Sequence, residues 1–321
     1  MCNGVLKVQK FHQPIKTASA NSRPSETGGH AVGKDPRDCS QRFGRTCKGF
    51  VFNAFGLVCF LATPGYAQLI VAHRGASHAA PENTAAAFEL AWQQKADAIE
   101  ADFRLSQDGQ IVCIHDATTQ RTAGVDWKVC DKTLAELKTL DVGRWKEPKF
   151  KGEEILTLSE VLRLVPRDKK IFVELKSGPE IVKPLQEVLK KSQVAAAQML
   201  VITFNEETAR EVKRSLPHLK VHWLTGLEDA VDSPNDDAEI SRITDSLSRT
   251  GADGLGSEAK RTVLTDAFIQ KLTAKGLPEF HVWTVDDPQD AIYYQDLGAF
   301  SITTNRPGFL RKKLSQVGEG K

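Results

Sequence analysis

The stretch from Leu69 to Thr118 holds several side chains that can transfer protons or bind ions. His73 and Arg74 directly follow one apolar run, and His115 follows another. Imidazole titrates near neutral pH, so the two histidines are candidates for a general base and a general acid. The planar guanidinium of Arg74 could bind two phosphate oxygens at once. The set is suited to chemistry on an anionic phosphate.

Carboxylates accompany these groups. Glu100 and Asp102 are two positions apart in a β-rich run, so they share one face of a strand. Glu174 and Lys176 have the same spacing in a later run. Three carboxylates together would suit Mg²⁺ or Ca²⁺, which prefer oxygen ligands. Taken alone, they could equally be solvated strand ends or partners of Arg and Lys.

The elements that must position these groups are short β-rich runs alternating with amphipathic helical stretches, a pattern typical of parallel sheets. Nine runs occur: LIVAH (69–73), AIEADFRL (98–105), IVCIH (111–115), KIFVELK (170–176), MLVITF (199–204), KVHWLT (220–225), ADGLGS (252–257), FHVWTV (280–285) and FSITTN (300–305). We predict an α/β fold, a single TIM-type (β/α)₈ barrel. The ninth run is explained by an antiparallel hairpin over 98–115 that turns at Asp108 and Gly109. In such a barrel the carboxyl ends of the strands form one rim, where the candidate groups can converge.

The residues before the barrel differ in kind. Residues 1–49 are polar and lack periodicity, which predicts a disordered tail or a wrongly assigned leader. Residues 50–67 are a signal-like segment, in which an apolar run shorter than the roughly 20 residues of a membrane span precedes small residues. We therefore expect cleavage near Gln68, a barrel domain at 68–312 and a tail at 313–321. Localisation is predicted to be secreted or periplasmic, with a membrane anchor as the alternative and no stable span after processing.

Charge and cysteine content narrow the functional classes. The chain has 43 basic and 41 acidic side chains and a net charge of +2, so bulk charge gives no reason to expect nucleic acid as a partner. An anionic ligand must be bound locally. Only Cys113 and Cys130 lie within the predicted domain; they could form a disulfide or remain small buried groups.

Four motifs resemble those of the glycerophosphodiester phosphodiesterase family, in the PLC-like phosphodiesterase superfamily, in the same order and with similar spacing. They are AHRGASHAAPENTAAAF, IEADFRLSQDGQIVCIHD, FVELK and VWTVDDP, and the resemblance runs roughly from Leu69 to Leu310. It implies a TIM-type barrel, a divalent cation and a small-molecule glycerophosphodiester substrate. By position, the resemblance implies catalytic roles for His73 and His115, metal ligation by Glu100, Asp102 and Glu174, phosphate contacts by Arg74 and Lys176, and a place in the substrate pocket for Trp283.

Other parts of the match suggest structural roles or depart from the family. Pro81 to Thr84 is typical of a helix start, and Asn83 is the predicted cap. Asp116 is expected in a loop, at most supporting its neighbour. Asn305 stands where the family commonly has an acidic residue, which leaves that rim position open. Trp283 could equally be an ordinary core tryptophan.

The expected reaction is metal-dependent hydrolysis of glycerophosphodiesters to sn-glycerol 3-phosphate and an alcohol, with the two histidines as acid and base. The substrate's own 2-hydroxyl could be the first nucleophile, which would give a cyclic phosphate that water then opens. Two alternatives remain: a lysophospholipase D-like phosphodiesterase acting on a lipid, and a secreted binding barrel without turnover.

Overall fold

Nine strands form one closed sheet in the computed structural model, which describes residues 68–227 and 236–318. The strands are β1 (Leu69–Ala72), β2 (Ala98–Leu105), β3 (Ile111–Cys113), β4 (Lys170–Leu175), β5 (Met199–Thr203), β6 (Lys220–Thr225), β7 (Gly254–Glu258), β8 (Phe280–Trp283) and β9 (Ser301–Thr304). All nine predicted β-rich runs are therefore confirmed as strands.

The order of the strands makes the sheet a barrel. They follow one another as β1-β9-β8-β7-β6-β5-β4-β2-β3, and a further parallel pairing of β1 with β2 closes the ring. β3 is the extra strand, and it pairs with β2 in antiparallel orientation. Gly109 turns this hairpin with a φ of 73°, a conformation that glycine adopts without steric cost. The TIM-type barrel with an added hairpin strand is confirmed.

Helices connect most of the strands across the outside of the barrel. They are α1 (Ala85–Gln93), α2 (Gln120–Ala123), α3 (Leu134–Leu137), α4 (Leu158–Arg163), α5 (Val182–Leu189), α6 (Glu206–Ser215), α7 (Asp236–Thr250), α8 (Asp266–Ala274), α9 (Pro288–Asp296) and α10 (Pro307–Gly318). Short 3₁₀ turns occupy Val129–Asp131, Pro148–Phe150, Pro179–Ile181 and Ala196–Gln198. Because α10 runs to Gly318, the predicted domain end at 312 falls inside a helix.

The start of α1 differs from the prediction. Thr84, rather than Asn83, is the N-cap, and its hydroxyl accepts a hydrogen bond of 3.3 Å from the backbone N–H of Ala87. Asn83 has a positive φ of 58° and is buried, so its side chain points away from the helix end. Two capping residue types stand side by side in the sequence, and the second one caps the helix.

The barrel interior and the layer beneath the helices have separate apolar clusters. Inside the barrel, the buried members are Val71, Ala98, Phe172, Leu200, Ile202 and Leu224. Cys113 belongs to an outer cluster and carries a free, buried thiol, so a bridge from Cys113 to Cys130 is not formed. No helix of the described ranges is long and apolar enough to cross a membrane. The predicted tail and signal-like segment, residues 1–67, lie outside the described residues.

Candidate active site

Three carboxylates meet where β2 and β4 lie side by side. Asp102 and Glu174 are direct partners in the parallel register, and Glu100 is the preceding inward position of β2. One oxygen from each lies within 4.8 Å of the others, and all three side chains are buried. The predicted convergence of Glu100, Asp102 and Glu174 at the rim is what the fold produces.

Two cations border this carboxylate cluster. Lys176 Nζ lies 3.1 Å from Asp102 Oδ1 and 2.5 Å from Glu174 Oε1. Arg74 Nε lies 3.2 Å from Asp102 Oδ2, and the backbone N–H of Arg74 donates to Glu100 Oε2 at 2.9 Å. Arg74 has a φ of 57°, which is uncommon for a residue with a side chain and is typical of functional sites. These two cations partly neutralise the negative charge of the cluster, and both side chains line the same cavity.

Burial and mutual repulsion separate the protonation behaviour of the three acids. Desolvation, together with Asp102 and Glu174, raises the pKa of Glu100 well above its ordinary value. Desolvation and Asp102 likewise raise the pKa of Glu174 to about 7. Burial also acts on Asp102, but Lys176 and Arg74 outweigh it and lower its pKa. Three buried acids so close together need further positive charge if all are to be ionised.

The cluster has donors that suit a divalent cation. Among residues 68–227 and 236–318, Glu100 Oε1 is buried without a hydrogen bond, and Asp102 Oδ1 and Glu174 Oε1 are buried in contact with the Lys176 ammonium. A buried oxygen without a partner costs roughly 1–3 kcal/mol unless something binds it. Carboxylate oxygens are the ligands that Mg²⁺ and Ca²⁺ prefer. The residues present therefore fit such an ion.

His73 is held by an amide. Its Nδ1 lies 2.8 Å from Asn305 Oδ1, while Asn305 Nδ2 donates to Asp286 Oδ2 at 2.7 Å. Because a carboxylate only accepts, Asp286 fixes the amide orientation, so the oxygen of Asn305 must accept from His73 Nδ1–H. Burial, with Arg74 nearby, lowers the pKa of His73 to about 4. His73 is therefore neutral at pH 7, with an unprotonated Nε2.

His115 is held by a carboxylate instead. Its Nδ1 lies 2.7 Å from Asp116 Oδ1, and Arg121 Nε donates to Asp116 Oδ2 at 2.7 Å. Arg121 also binds Glu82, whose Oε1 accepts from Arg74 Nη1 at 3.0 Å. Burial lowers the pKa of His115, although Asp102 and Asp116 oppose that shift. The loop residue Asp116 thus supports its neighbour, as expected.

Sequence reasoning missed the role of Asn83. Its Nδ2 donates to Asp102 Oδ2 at 2.8 Å, and its Oδ1 accepts from the backbone N–H of Asp102 at 3.2 Å. The side chain of Asn83 therefore fixes the orientation of the Asp102 carboxylate. The sequence does contain an indication of this role: the adjacent Thr84 can cap the helix, so Asn83 is free to make other contacts.

A cavity of about 320 Å³ joins these groups. Its lining includes the predicted residues His73, Arg74, Glu100, His115, Glu174, Lys176 and Trp283. It also includes Ile202, Phe204, Leu224, His281, Thr284 and Thr303, which the sequence did not single out. Phe204 is 45% exposed and packs edge-on against Trp283, with ring centroids 5.5 Å apart. Asp102 lies behind this surface, fully buried against both cations.

A (β/α)₈ barrel with two histidines, two cations and a carboxylate cluster around one rim cavity defines a hydrolase class that acts on phosphate esters. Residues 73–309 match the family described as "Glycerophosphoryl diester phosphodiesterase family". The chain belongs to this family and is a glycerophosphodiester phosphodiesterase, an enzyme that hydrolyses glycerophosphodiesters.

Individual relatives agree with the family assignment. The YhdW protein of Bacillus subtilis (strain 168) is 36% identical over 245 residues, covering 76% of this chain and 96% of the relative. A glycerophosphodiester phosphodiesterase from the same strain is 30% identical over 287 residues, covering 81% and 94%. The structure of an Oleispira antarctica phosphodiesterase in complex with its product sn-glycerol-3-phosphate is similar with a TM-score of 0.67 and 27% identity, covering 77% of this chain and 96% of that one.

Proposed function

We propose that the enzyme releases sn-glycerol 3-phosphate and an alcohol, and that it requires a divalent cation, Mg²⁺ or Ca²⁺. The observation that supports the cation is the convergence of one buried carboxylate oxygen from each of Glu100, Asp102 and Glu174 within 4.8 Å of the others, with Glu100 Oε1 unpaired among the described residues. A bound cation would neutralise the phosphate's negative charge and favour ionisation of the three acids. Arg74 and Lys176 would bind phosphate oxygens in the cavity that they share with His73 and His115, which would place the phosphorus between the two histidines.

His73 acts as the general base in this proposal. Asn305 accepts the Nδ1 proton and thereby leaves the Nε2 lone pair free, and the lowered pKa keeps the ring neutral at pH 7. Nε2 takes a proton from the attacking hydroxyl as its oxygen forms a bond to phosphorus. The amide of Asn305 is a suitable partner for a neutral histidine that acts as a base, because it orients the ring without stabilising the protonated imidazolium.

His115 acts as the general acid. Burial lowers the pKa of His115, and its carboxylate partner Asp116 opposes that shift by favouring the protonated ring, which can give its Nε2 proton to the leaving oxygen as the phosphorus–oxygen bond breaks. The two histidines then exchange roles when water attacks. The different partners of the two rings, an amide and a carboxylate, support this assignment.

The attacking hydroxyl in the first step is proposed to be the 2-hydroxyl of the substrate's own glycerol, which gives a cyclic phosphate as intermediate. An internal nucleophile needs no separate binding site and gains from proximity. A diester that lacks the 2-hydroxyl should bind and hardly react. Hydrolysis of that analogue at the normal rate would refute the cyclic route.

The test of the proposed reaction is the release of sn-glycerol 3-phosphate from diesters of choline, ethanolamine, serine and glycerol. We expect release from at least one of them with added Mg²⁺ or Ca²⁺. No sn-glycerol 3-phosphate from any of the four, with either cation, would overturn the proposal.

A lysophospholipase D-like activity is the second candidate. Phe204 is 45% exposed, and with Ile202 and Leu224 it gives the cavity an apolar side that could contact an acyl chain. Turnover of a lysophospholipid faster than of the matching glycerophosphodiester would favour this activity. The reverse preference would exclude it as the main activity.

We further propose a secreted or periplasmic location, with removal of residues up to about Gln68. The support is the sequence alone, an apolar run followed by Gly65, Tyr66 and Ala67. Amino-terminal sequencing of exported protein should give a start near Gln68. A start well upstream would contradict it, and retention of the segment in a membrane fraction would favour the anchor.

A further inference from the structure

Strand β8 contributes two side chains with unsatisfied polar atoms to the cavity lining. His281 and Trp283 are two residues apart and line the same cavity. His281 Nε2 and Trp283 Nε1 are both buried, and neither has a hydrogen-bond partner among the described residues. An unmade hydrogen bond at a buried atom costs roughly 1–3 kcal/mol, so a pair of them in one cavity calls for an explanation.

A chain of hydrogen bonds fixes the tautomer of His281. Glu279 Oε1 lies 2.9 Å from His222 Nε2, and His222 Nδ1 lies 3.0 Å from His281 Nδ1. The carboxylate can only accept, so His222 Nε2 carries a proton and its Nδ1 is an acceptor. His281 Nδ1 must therefore donate. A neutral His281 is left with a lone pair, and no proton, on Nε2.

The barrel is shaped to hold these rings. A β-carbon on Gly254 would come within 2.5 Å of His222 Nε2, and one on Gly256 within 2.6 Å of His281 Nε2. The two histidine rings are stacked with centroids 5.2 Å apart, and Phe172 packs edge-on against His281. Barrel interiors are ordinarily filled by aliphatic side chains. Here β7 has glycine at positions 254 and 256, and the rings of His222 and His281 occupy the space that side chains would otherwise fill.

The two atoms have complementary hydrogen-bonding roles. The indole N–H of Trp283 can only donate, and His281 Nε2 in this tautomer can only accept. A hydroxyl group is both donor and acceptor. We propose that His281 and Trp283 recognise the terminal hydroxyl of the substrate's glycerol, and that they determine specificity for glycerol over shorter or deoxygenated alcohols.

We assign the terminal hydroxyl, rather than the 2-hydroxyl, to this site because His281 lies deep in the barrel. This assignment rests on the proposed function. The 2-hydroxyl is needed beside His73 at the rim. The terminal hydroxyl is one carbon further from phosphorus. His281 lies one inward position deeper in the barrel than Trp283, so the terminal hydroxyl is the group that extends toward it. His222 and Glu279 are positioning residues that act only through His281.

The kinetic test compares glycerophosphodiesters with the matching propane-1,2-diol diesters, which lack only the terminal hydroxyl and keep the 2-hydroxyl. The parent enzyme should prefer the glycerol compound roughly 10- to 100-fold in kcat/KM. His281→Phe should remove most of that preference by slowing only the glycerol substrate. The exposed His218→Gln should leave the preference unchanged.

The outcomes separate the two proposals. Equal turnover of both substrates by the parent, or a preference that persists in His281→Phe, would overturn the hydroxyl site and leave the phosphodiesterase reaction standing. Turnover of neither substrate by the parent would overturn the proposed reaction, and the hydroxyl site with it.

A measurement on the parent protein alone covers the case in which His281→Phe fails to fold. In ¹⁵N NMR, His281 Nε2 should resonate as an unprotonated ring nitrogen. It should shift when sn-glycerol 3-phosphate is added and stay in place with propane-1,2-diol 1-phosphate. A protonated Nε2 in the free enzyme, or the same response to both compounds, would contradict the proposal.

Discussion

The two sides of the cavity are built in different ways. On the side of β1 to β4, every lining group is ionisable: His73, Arg74, Glu100, His115, Glu174 and Lys176. On the side of β5, β6, β8 and β9, the lining is neutral: Ile202, Phe204, Leu224, His281, Trp283, Thr284 and Thr303. The first side is suited to the phosphate and its reaction, and the second to the organic part of the substrate.

The charged and neutral sides of the cavity should respond differently to amino-acid substitution. On the charged side, each functional group is held by another polar group, as Asn305 holds His73 and Asn83 holds Asp102. Removing one member leaves a buried partner unsatisfied, which costs more than the contact itself contributed. On the neutral side, contacts are mostly apolar and scale with the buried area, so losses should be graded.

The largest expected effect is on the charged side. His73→Ala or His115→Ala should lower kcat by roughly 10² to 10⁴-fold, the usual contribution of general acid or base catalysis. If His115 is the acid, His115→Ala should lose less activity on a diester with a good leaving group such as nitrophenol, and His73→Ala should not. The opposite pattern would exchange the two roles. Circular dichroism of each variant checks that the fold is intact.

Asn83→Ala should have an intermediate effect. It removes the hydrogen bonds that orient Asp102, and the loss of such supporting contacts at metal sites typically lowers metal affinity or activity about 10- to 100-fold. The matched control is Asn205→Ala, which removes a helix cap on α6 and should cost about 1 kcal/mol of stability without loss of activity. Equal activity losses in the two variants would show that Asn83 is only structural.

On the neutral side, Phe204→Ala should raise KM by less than about tenfold and leave kcat nearly unchanged, because it removes apolar contact area without touching the reacting atoms. Steady-state kinetics on a glycerophosphodiester would measure both constants. A fall in kcat as large as that of Asn83→Ala would break the distinction between the two sides.

The smallest effect concerns stability rather than turnover. Burial lowers the pKa of both His222 and His281. A histidine whose pKa is lowered by folding binds more protons when unfolded, so its contribution to stability is complete above about pH 6.5 and is lost as the pH falls below that value. Glu100 and Glu174, whose pKa values are raised by folding, act in the opposite direction in parent and variant alike. Lowering the pH from 7 to 5 should therefore lower the urea midpoint of His281→Phe less, or raise it more, than that of the parent. Equal changes in both proteins would show that His281 does not contribute to the acid sensitivity.

The sequence was most informative where chemistry requires a specific residue type. His73, Glu100 and Glu174 were identifiable because histidines and carboxylates that recur at strand ends are the groups that proton transfer and cation binding require. Asn83 was misread because an asparagine before a helix is so often a cap. Phe204 and His281 gave no signal, since an aromatic or histidine in a β-rich run is usually a packed residue. Their importance depends on closure of the barrel, which brings β5 and β8 to one cavity.

In the proposed reaction, the three buried carboxylates hold the cation that turnover requires. The most direct measurement of this role is the metal content of the purified enzyme and of Glu174→Gln, taken together with the release of sn-glycerol 3-phosphate before and after chelation. We expect one divalent cation per chain in the parent, loss of activity on chelation, recovery on adding Mg²⁺ or Ca²⁺, and weak cation binding and little activity in Glu174→Gln. Undiminished release of sn-glycerol 3-phosphate by parent enzyme that contains no metal would contradict this role.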